Sequence, residues 1–328
     1  MHILNLSTKQ INKNLDEIQF KKDYHFVICN PWELKFFKNV LNLSNEAYKD
    51  CLSFDEKVRV NIYDEYIFFT LTNFQICQEE MLLEEVNIFL SDKYIIIVLR
   101  KRNDIYKEIK QLMRDNFYYK SNLTLTLFII YSSILRIIIS NQFENLEQVE
   151  ESILELEDNI INEVNDNISN KISHIRGMCR DCVKIIRPLT YIIDTLLKEG
   201  MEFFSEINDS TLEGFSNSNL EKEYQKLLQG LDLSIDKLYS FALSTRELAD
   251  KLLDIYSSKV SEKTNNLITK LTILTGTAVP ISIITGIYGM NFKYMPELNY
   301  VYGYGITILV IILIIIISFI IFKTKKFL

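Results

Sequence analysis

The chain has 328 residues, a formal net charge of −7 and 24% charged residues against 48% hydrophobic ones. Its mean hydropathy of +0.06 excludes a polytopic helical bundle, so most of the chain must face water. No Walker loop, GxGxxG, HExxH or nucleophile elbow occurs, and neither an enzyme activity nor a nucleic-acid partner is expected.

Residues 1–121 mix short β-rich runs with helical ones. Tyr24 to Cys29, Val58 to Ile62, Tyr66 to Phe74 and Tyr94 to Leu99 carry the β-branched and aromatic residues of strands. Pro31 opens a helical pattern with Trp32, Leu34, Phe36, Phe37 and Val40 as its apolar positions. The expected fold here is an α+β cytosolic domain, a mixed sheet with helices. Met1 to Asn14 lacks the apolar core of a signal peptide, in line with a body that is not exported. The five cysteines are scattered and odd in number, as suits a reducing compartment. Cys179 and Cys182 form a CxxC on a helical segment, but only His174 lies near them, which is too few ligands for a zinc set.

From 122 to 265 helical periodicity takes over. Asn122 to Ser140 has Arg136 as its only charge, yet its hydroxyl residues and that charge favour a buried helix over a membrane span. Glu144 to Asp166 carries an apolar stripe of Val149, Ile153, Leu156, Ile160 and Val164. A further helix runs from about Lys171 past Ile186, with Pro188 as a bend, and pairs antiparallel with the one before it. After a polar break at Asn208 to Asn219, one long helix from about 220 to 288 is expected. At 1.5 Å per residue it is ~100 Å long and serves as a stalk.

The membrane domain is expected at 266–328, with spans at about 268–289 and 303–322 and an outer loop at 290–302. Leu271 to Phe292 and Gly303 to Phe322 are charge-free over the ~20 residues that a helical span requires. Lys263 and Lys270 precede the first span and Lys323, Lys325 and Lys326 follow the second, while the loop between carries only Lys293. By the basic-residue rule both termini are cytoplasmic. Asn265, Ile268, Thr272, Thr275, Val279, Ser282 and Gly286 recur at three and four and share one small, hydroxyl-bearing, uncharged face of the first span. Such a face suits close helix packing as well as a water-filled path.

Between the spans lies Tyr288-Gly289-Met290-Asn291-Phe292, followed by Met295-Pro296-Glu297-Leu298. YGMNF followed by MPEL, between two C-terminal spans, resembles the signature of CorA-type magnesium transporters. Asn265, Leu271-Thr272 and Pro280 fit that family's pore helix, whereas Ile268 stands where the family often has Met. The resemblance implies a homo-pentameric funnel in the plasma membrane, in contact with lipid, and Mg2+ as the transported ion, with Co2+ and Ni2+ as further ions. It implies no cofactor beyond transported and regulatory Mg2+.

On that resemblance Gly289, Met290 and Asn291 form the selectivity filter, with Asn291 the metal-facing residue and Glu297 an electrostatic lure in the outer loop. The uncharged face becomes the pore lining, with Ile268 and Val279 as apolar gating rings. A ring of Asn carbonyls suits an ion that keeps its six waters, because it accepts hydrogen bonds from the hydration shell without stripping it. Cytosolic Mg2+ is expected to hold the pore shut through acidic residues, with Asp92, Asp232 and Asp236 as candidates. Two alternatives stay open: a related transporter of zinc, cobalt or nickel, and a membrane-anchored sensor or scaffold that conducts nothing.

Overall fold

A computed structural model describes residues 1–12, 20, 22–53, 58–77, 80–100, 104–114, 123–162, 166–200, 217–291, 293, 295–296 and 301–324. The chain divides into two compact units. The first comprises Met1–Asp158 and Asp166–Leu252, the second Asn159–Asn165 and Leu253–Leu328.

At the centre of the first unit is a seven-stranded mixed sheet. Its strands are β1 (His2–Asn5), β2 (Gln10–Asn12), β3 (His25–Cys29), β4 (Arg59–Ile62), β5 (Ile67–Cys77), β6 (Glu80–Leu90) and β7 (Tyr94–Leu99), in the spatial order β2-β1-β3-β7-β6-β5-β4. Only β3 and β7 run parallel, with His25 beside Tyr94 and Cys29 beside Val98; the other neighbours are antiparallel. These two strands read HFVIC and YIIIVL and are buried at every position. An unbroken apolar run is what a strand covered on both faces requires.

The two faces take alternate residues. Phe26, Ile28, Ile95 and Ile97 join Phe69, Leu71 and Ile88 under the helices α3 (Asp104–Leu112), α4 (Leu123–Asn162) and α5 (Asp166–Thr195) and the start of α6 (Asn217–Tyr288). Val27, Cys29, Ile96 and Val98 join Phe68 and Phe89 under Leu34, Phe37, Leu41, Ala47 and Cys51, which come from α1 (Lys35–Lys38), α2 (Asn45–Leu52) and the turns around them.

Two expectations need correction, and one strand lies where none was expected. The helix read from Pro31 contracts to the four residues of α1, leaving Trp32 (80% exposed), Phe36 and Val40 outside the core. Asn42 takes a left-handed φ of 49°, and the Leu43 N–H reaches back 2.9 Å to the Lys38 carbonyl, the six-to-one bond of a helix stop. Strand β6 was hidden because Glu80, Met81, Leu82, Leu83, Glu84 and Glu85 are good helix formers without alternation. Pairing with β5 over its whole length, from Cys77 opposite Glu80 to Ile67 opposite Leu90, overrides that preference. Its buried Asn87 is held from two sides: Thr70 Oγ1 donates across the ladder to Asn87 Oδ1 at 2.6 Å, and Asn87 Nδ2 donates along β6 itself to Glu85 Oε1 at 2.7 Å.

The two helices expected at Asn122–Ser140 and Glu144–Asp166 join into α4, 40 residues without a break at 140–144, while α5 begins earlier than expected, at Asp166. The segment between the two expected helices is held by the sheet. Strand β4 accompanies β5 only along Ile67–Thr70, and past that point Gln142 Nε2 donates to the Thr72 carbonyl at 3.2 Å while Asn145 Oδ1 accepts from the Ile76 N–H at 2.8 Å. The first half of α4 is long and apolar enough to cross a membrane, but 67% of its most apolar window is buried. Tyr131, Ile134 and Ile138 pack into the core, and the Tyr131 ring meets Phe69 edge-on at 5.6 Å. Pro188 lies inside α5, which passes into a π-helical turn at Leu196–Gly200.

The Asn145 bond to strand β5 gives a local test. Asn145→Ala leaves the Ile76 N–H without its side-chain acceptor, a cost of about 1–3 kcal/mol. Hydrogen exchange of the Ile76 amide should accelerate roughly 5- to 150-fold. Unchanged protection at that amide would show that this bond does not hold the strand edge.

Candidate ion pathway

The second unit contains the remainder of α6, from Leu253 to Tyr288, and α7 (Gly303–Thr324). Both are long and apolar enough to cross a membrane, and none of either most-apolar window is buried within the chain. Leu271, Leu274, Ile283 and nearly every Ile of α7 are exposed, a surface that water does not tolerate in a stable monomer.

The expected pathway residues Asn265, Ile268, Thr272, Thr275, Val279, Ser282 and Gly286 all lie on the helical part of α6 and are all exposed. The two threonines of this face follow one pattern. Thr272 Oγ1 donates to the Ile268 carbonyl at 2.8 Å, and Thr275 Oγ1 donates to Leu271 at 2.8 Å. Off that face, Thr285 does the same toward Ile281 at 3.1 Å. Each of these threonine protons is thus directed into the helix's own backbone, and the oxygen lone pairs are what these side chains offer at the surface. Pro280 sits inside the helix and brings no N–H to the Gly276 carbonyl.

α6 stops at Tyr288. The Gly289 N–H donates to the Thr285 carbonyl at 3.0 Å and the Met290 N–H to Ile287 at 3.2 Å, closing the last turn. A Cβ on Gly289 would meet the Thr285 carbonyl oxygen at 3.2 Å, so any larger residue crowds the backbone where the chain leaves the helix. Gly286, in contrast, has open space where its Cβ would be. Met290 is half exposed and Asn291 exposed, just past the helix end. Glu297, Lys325 and Lys326 lie outside the described residues, while Lys323 is exposed in the last turn of α7.

One contact had no clear signal in the sequence beyond a glycine in an apolar stretch. A Cβ on Gly276 would sit 3.0 Å from Phe322 Cζ, so the missing side chain is the notch into which the end of α7 packs.

The expected regulatory acids fall in the first unit. Asp232 and Asp236 lie one turn apart on α6. Partial burial holds the Asp232 carboxyl above its ordinary pKa, and the charges of Asp236 and of Asp194 on α5 add to that rise. Asp92 follows β6 and accepts from Ser91 Oγ at 3.0 Å. Among the described residues, no three His, Cys, Asp or Glu side chains gather closely enough to form a ligand cage. Cys179 and Cys182 are buried; burial pushes the Cys179 thiol up to about 12 and raises that of Cys182 as well, which marks a packed pair rather than reactive thiols.

Comparison with known proteins gives the family and fold of the chain. Residues 24–326 match the family model described as CorA-like Mg2+ transporter protein. A cobalt/magnesium transport protein CorA of Thermotoga maritima is 25% identical over 292 residues, covering 85% of this chain and 75% of that one. A magnesium transport protein CorA of Campylobacter jejuni strain RM1221 is 25% identical over 246 residues, 68% of this chain and 75% of the relative. The solved structure of a CorA magnesium transporter from Methanocaldococcus jannaschii superposes with a TM-score of 0.73 at 19% identity, over 94% of this chain and 93% of that one, and shows the shared fold. With the family model covering nearly the whole chain, this protein is a member of the CorA-like Mg2+ transporter family.

Proposed function

We propose that this chain is one subunit of a homo-pentameric channel that carries Mg2+ into the cytosol, with both termini cytoplasmic. The observation that carries the reading is the uncharged face of α6, whose threonine protons are engaged by its own backbone. A hydrated cation presents its water protons outward, so it needs acceptors along its path and no fixed charge to hold it. Two spans cannot enclose such a path, and several copies around an axis can. The names of the relatives, which transport magnesium or cobalt and magnesium, support the choice of ion. No His or Cys occurs at the seven face positions to favour a borderline-soft ion.

In this reading Asn291, with backbone oxygens near Gly289 and Met290, accepts hydrogen bonds from the hydration shell, and Glu297 draws cations toward it. Ile268 and Val279 close the path by dewetting when the copies approach. Cytosolic Mg2+ bridging acids such as Asp92, Asp232 and Asp236 between copies favours the closed form. At Asp232 the neighbouring charges of Asp236 and Asp194 already strain the ionised carboxyl, and a bound cation would relieve this.

Three outcomes follow. Asn291→Ala should abolish Mg2+ flux in proteoliposomes while the complex still assembles; full flux would remove Asn291 from the filter. Light scattering of the detergent-solubilised protein should give about five times the 38.6 kDa chain mass, and a flux-competent monomer or dimer would refute the shared pore. Ile268→Asn should leak with little response to internal Mg2+, whereas Thr269→Asn, one position round the helix, should not. The reverse pattern would shift the register of the whole face.

A further inference from the structure

We infer that Phe322, near the C-terminal end of α7, is a positioning residue for the ion pathway: seated in the notch at Gly276, its ring holds a hinge in α6 and so fixes where Ile268 stands. Both helices belong to the second unit. Gly276 lies inside α6, and Phe322 lies in the last turn of α7. A Cβ on Gly276 would come 3.0 Å from Phe322 Cζ and 3.6 Å from Cε2, so the tip of the ring rests against backbone that any side chain would cover. Phe322 is partly buried, whereas the residues before it, Phe319, Ile320 and Ile321, are exposed. The inference rests on the pathway reading of α6.

Several features of the sequence weaken α6 at this level. Gly276 is the residue type that a helix constrains least well. Pro280 brings no N–H to the Gly276 carbonyl, and its ring crowds that oxygen. The Thr275 hydroxyl donates to the Leu271 carbonyl at 2.8 Å and the Thr277 hydroxyl to the Ile273 carbonyl at 2.5 Å. Such bonds compete with the backbone for the same acceptors and bend helices. Long helices bend sharply at prolines and at glycines, and here the two stand one turn apart. The helix therefore bends most readily between 276 and 280, and what packs on Gly276 decides how far.

The bend has leverage on the gate. Ile268 lies about 12 Å along the axis from Gly276 at 1.5 Å per residue, so a bend of about 10° moves it sideways by about 2 Å. The same movement in every copy changes the bore of an Ile268 ring by about 4 Å, more than the roughly 2.8 Å diameter of a water molecule. That is enough to decide whether the ring is dry or wet. At about 100° per residue, Gly276 lies about 70° from the centre of the uncharged face, so the ring presses on the flank of α6 without entering the path. A dry ring needs Ile268 of every copy at one narrow radius. A hinge freed in each copy spreads them, so loss of the Phe322 ring favours the wet state.

The test uses the full-length protein in proteoliposomes and in lipid nanodiscs. Phe322→Ala should raise the internal Mg2+ needed for half-inhibition of uptake at least about fivefold. The mass of the complex and the ratio of Co2+ to Mg2+ flux should stay as in the wild type, because the filter keeps its residues. Phe322→Leu, which still fills the notch, should restore most of the wild-type response, and Phe319→Ala, at an exposed position of the same helix, should behave as the wild type. Independently of flux, hydrogen exchange at the amides of Thr277, Ala278, Val279 and Ile281 should accelerate at least about fivefold in Phe322→Ala and not in Phe319→Ala. Unchanged exchange would overturn the hinge, and faster exchange with an unchanged Mg2+ response would overturn the positioning role. A wild-type chain that conducts no Mg2+ would refute the pathway reading and the positioning role with it, while the exchange would still show whether Phe322 holds the hinge.

Discussion

The hydrogen bonds from Thr272 and Thr275 to the backbone of their own helix set the terms for the rest of the second unit. They leave a helix face that is polar by its lone pairs and carries no charge. In the proposed function such a face binds the outer protons of a hydrated ion weakly at many points, and weak binding at many points permits flux. A carboxylate in the same place would hold a divalent ion far more tightly. The same face gains little from hydrocarbon, and in the proposed assembly copies of α6 turn it inward while the uninterrupted Ile, Leu and Val surface of α7 turns outward. Gly276 then acts at the junction of the two helices, because its missing side chain admits Phe322.

The first unit solves a different problem with the same chain. Its central strands β3 and β7 are buried on both faces, so helices must cover the sheet on each side. One cover is thin, built from α1, α2 and their turns; the other is thick, built from α3, α4, α5 and the start of α6. Arg176 Nε meets Asp250 Oδ1 at 2.8 Å and joins α5 to α6 within the thick layer. α6 is thus fastened in the first unit and runs without interruption to Tyr288 in the second.

Much of this was legible in the sequence where a single physical rule dominated. Unbroken apolar runs marked β3 and β7, and charge-free stretches marked the two apolar helices. Gly289, Met290 and Asn291 could be named as the proposed filter because they are contiguous in a motif that resembles a family signature. What stayed hidden depended on partners distant in sequence. The strand β6 looks helical by propensity until β5 lies beside it, and residues 140–144 look like a break until Gln142 and Asn145 find the edge of β5. The periodic apolar residues after Pro31 suggested a full helix, but only Leu34, Phe37 and Leu41 had core to enter, and Asn42 ended the turn. The notch at Gly276 shares this origin, since it is made by segments that come together only on folding.

The most direct measurement is uptake of Mg2+ by proteoliposomes that contain the purified wild-type chain, compared with and without Mg2+ on the side of the first unit. Rapid uptake down the gradient that slows when Mg2+ is present on that side is the expected result. Absence of uptake under both conditions, from a correctly inserted complex, would contradict conduction by this chain.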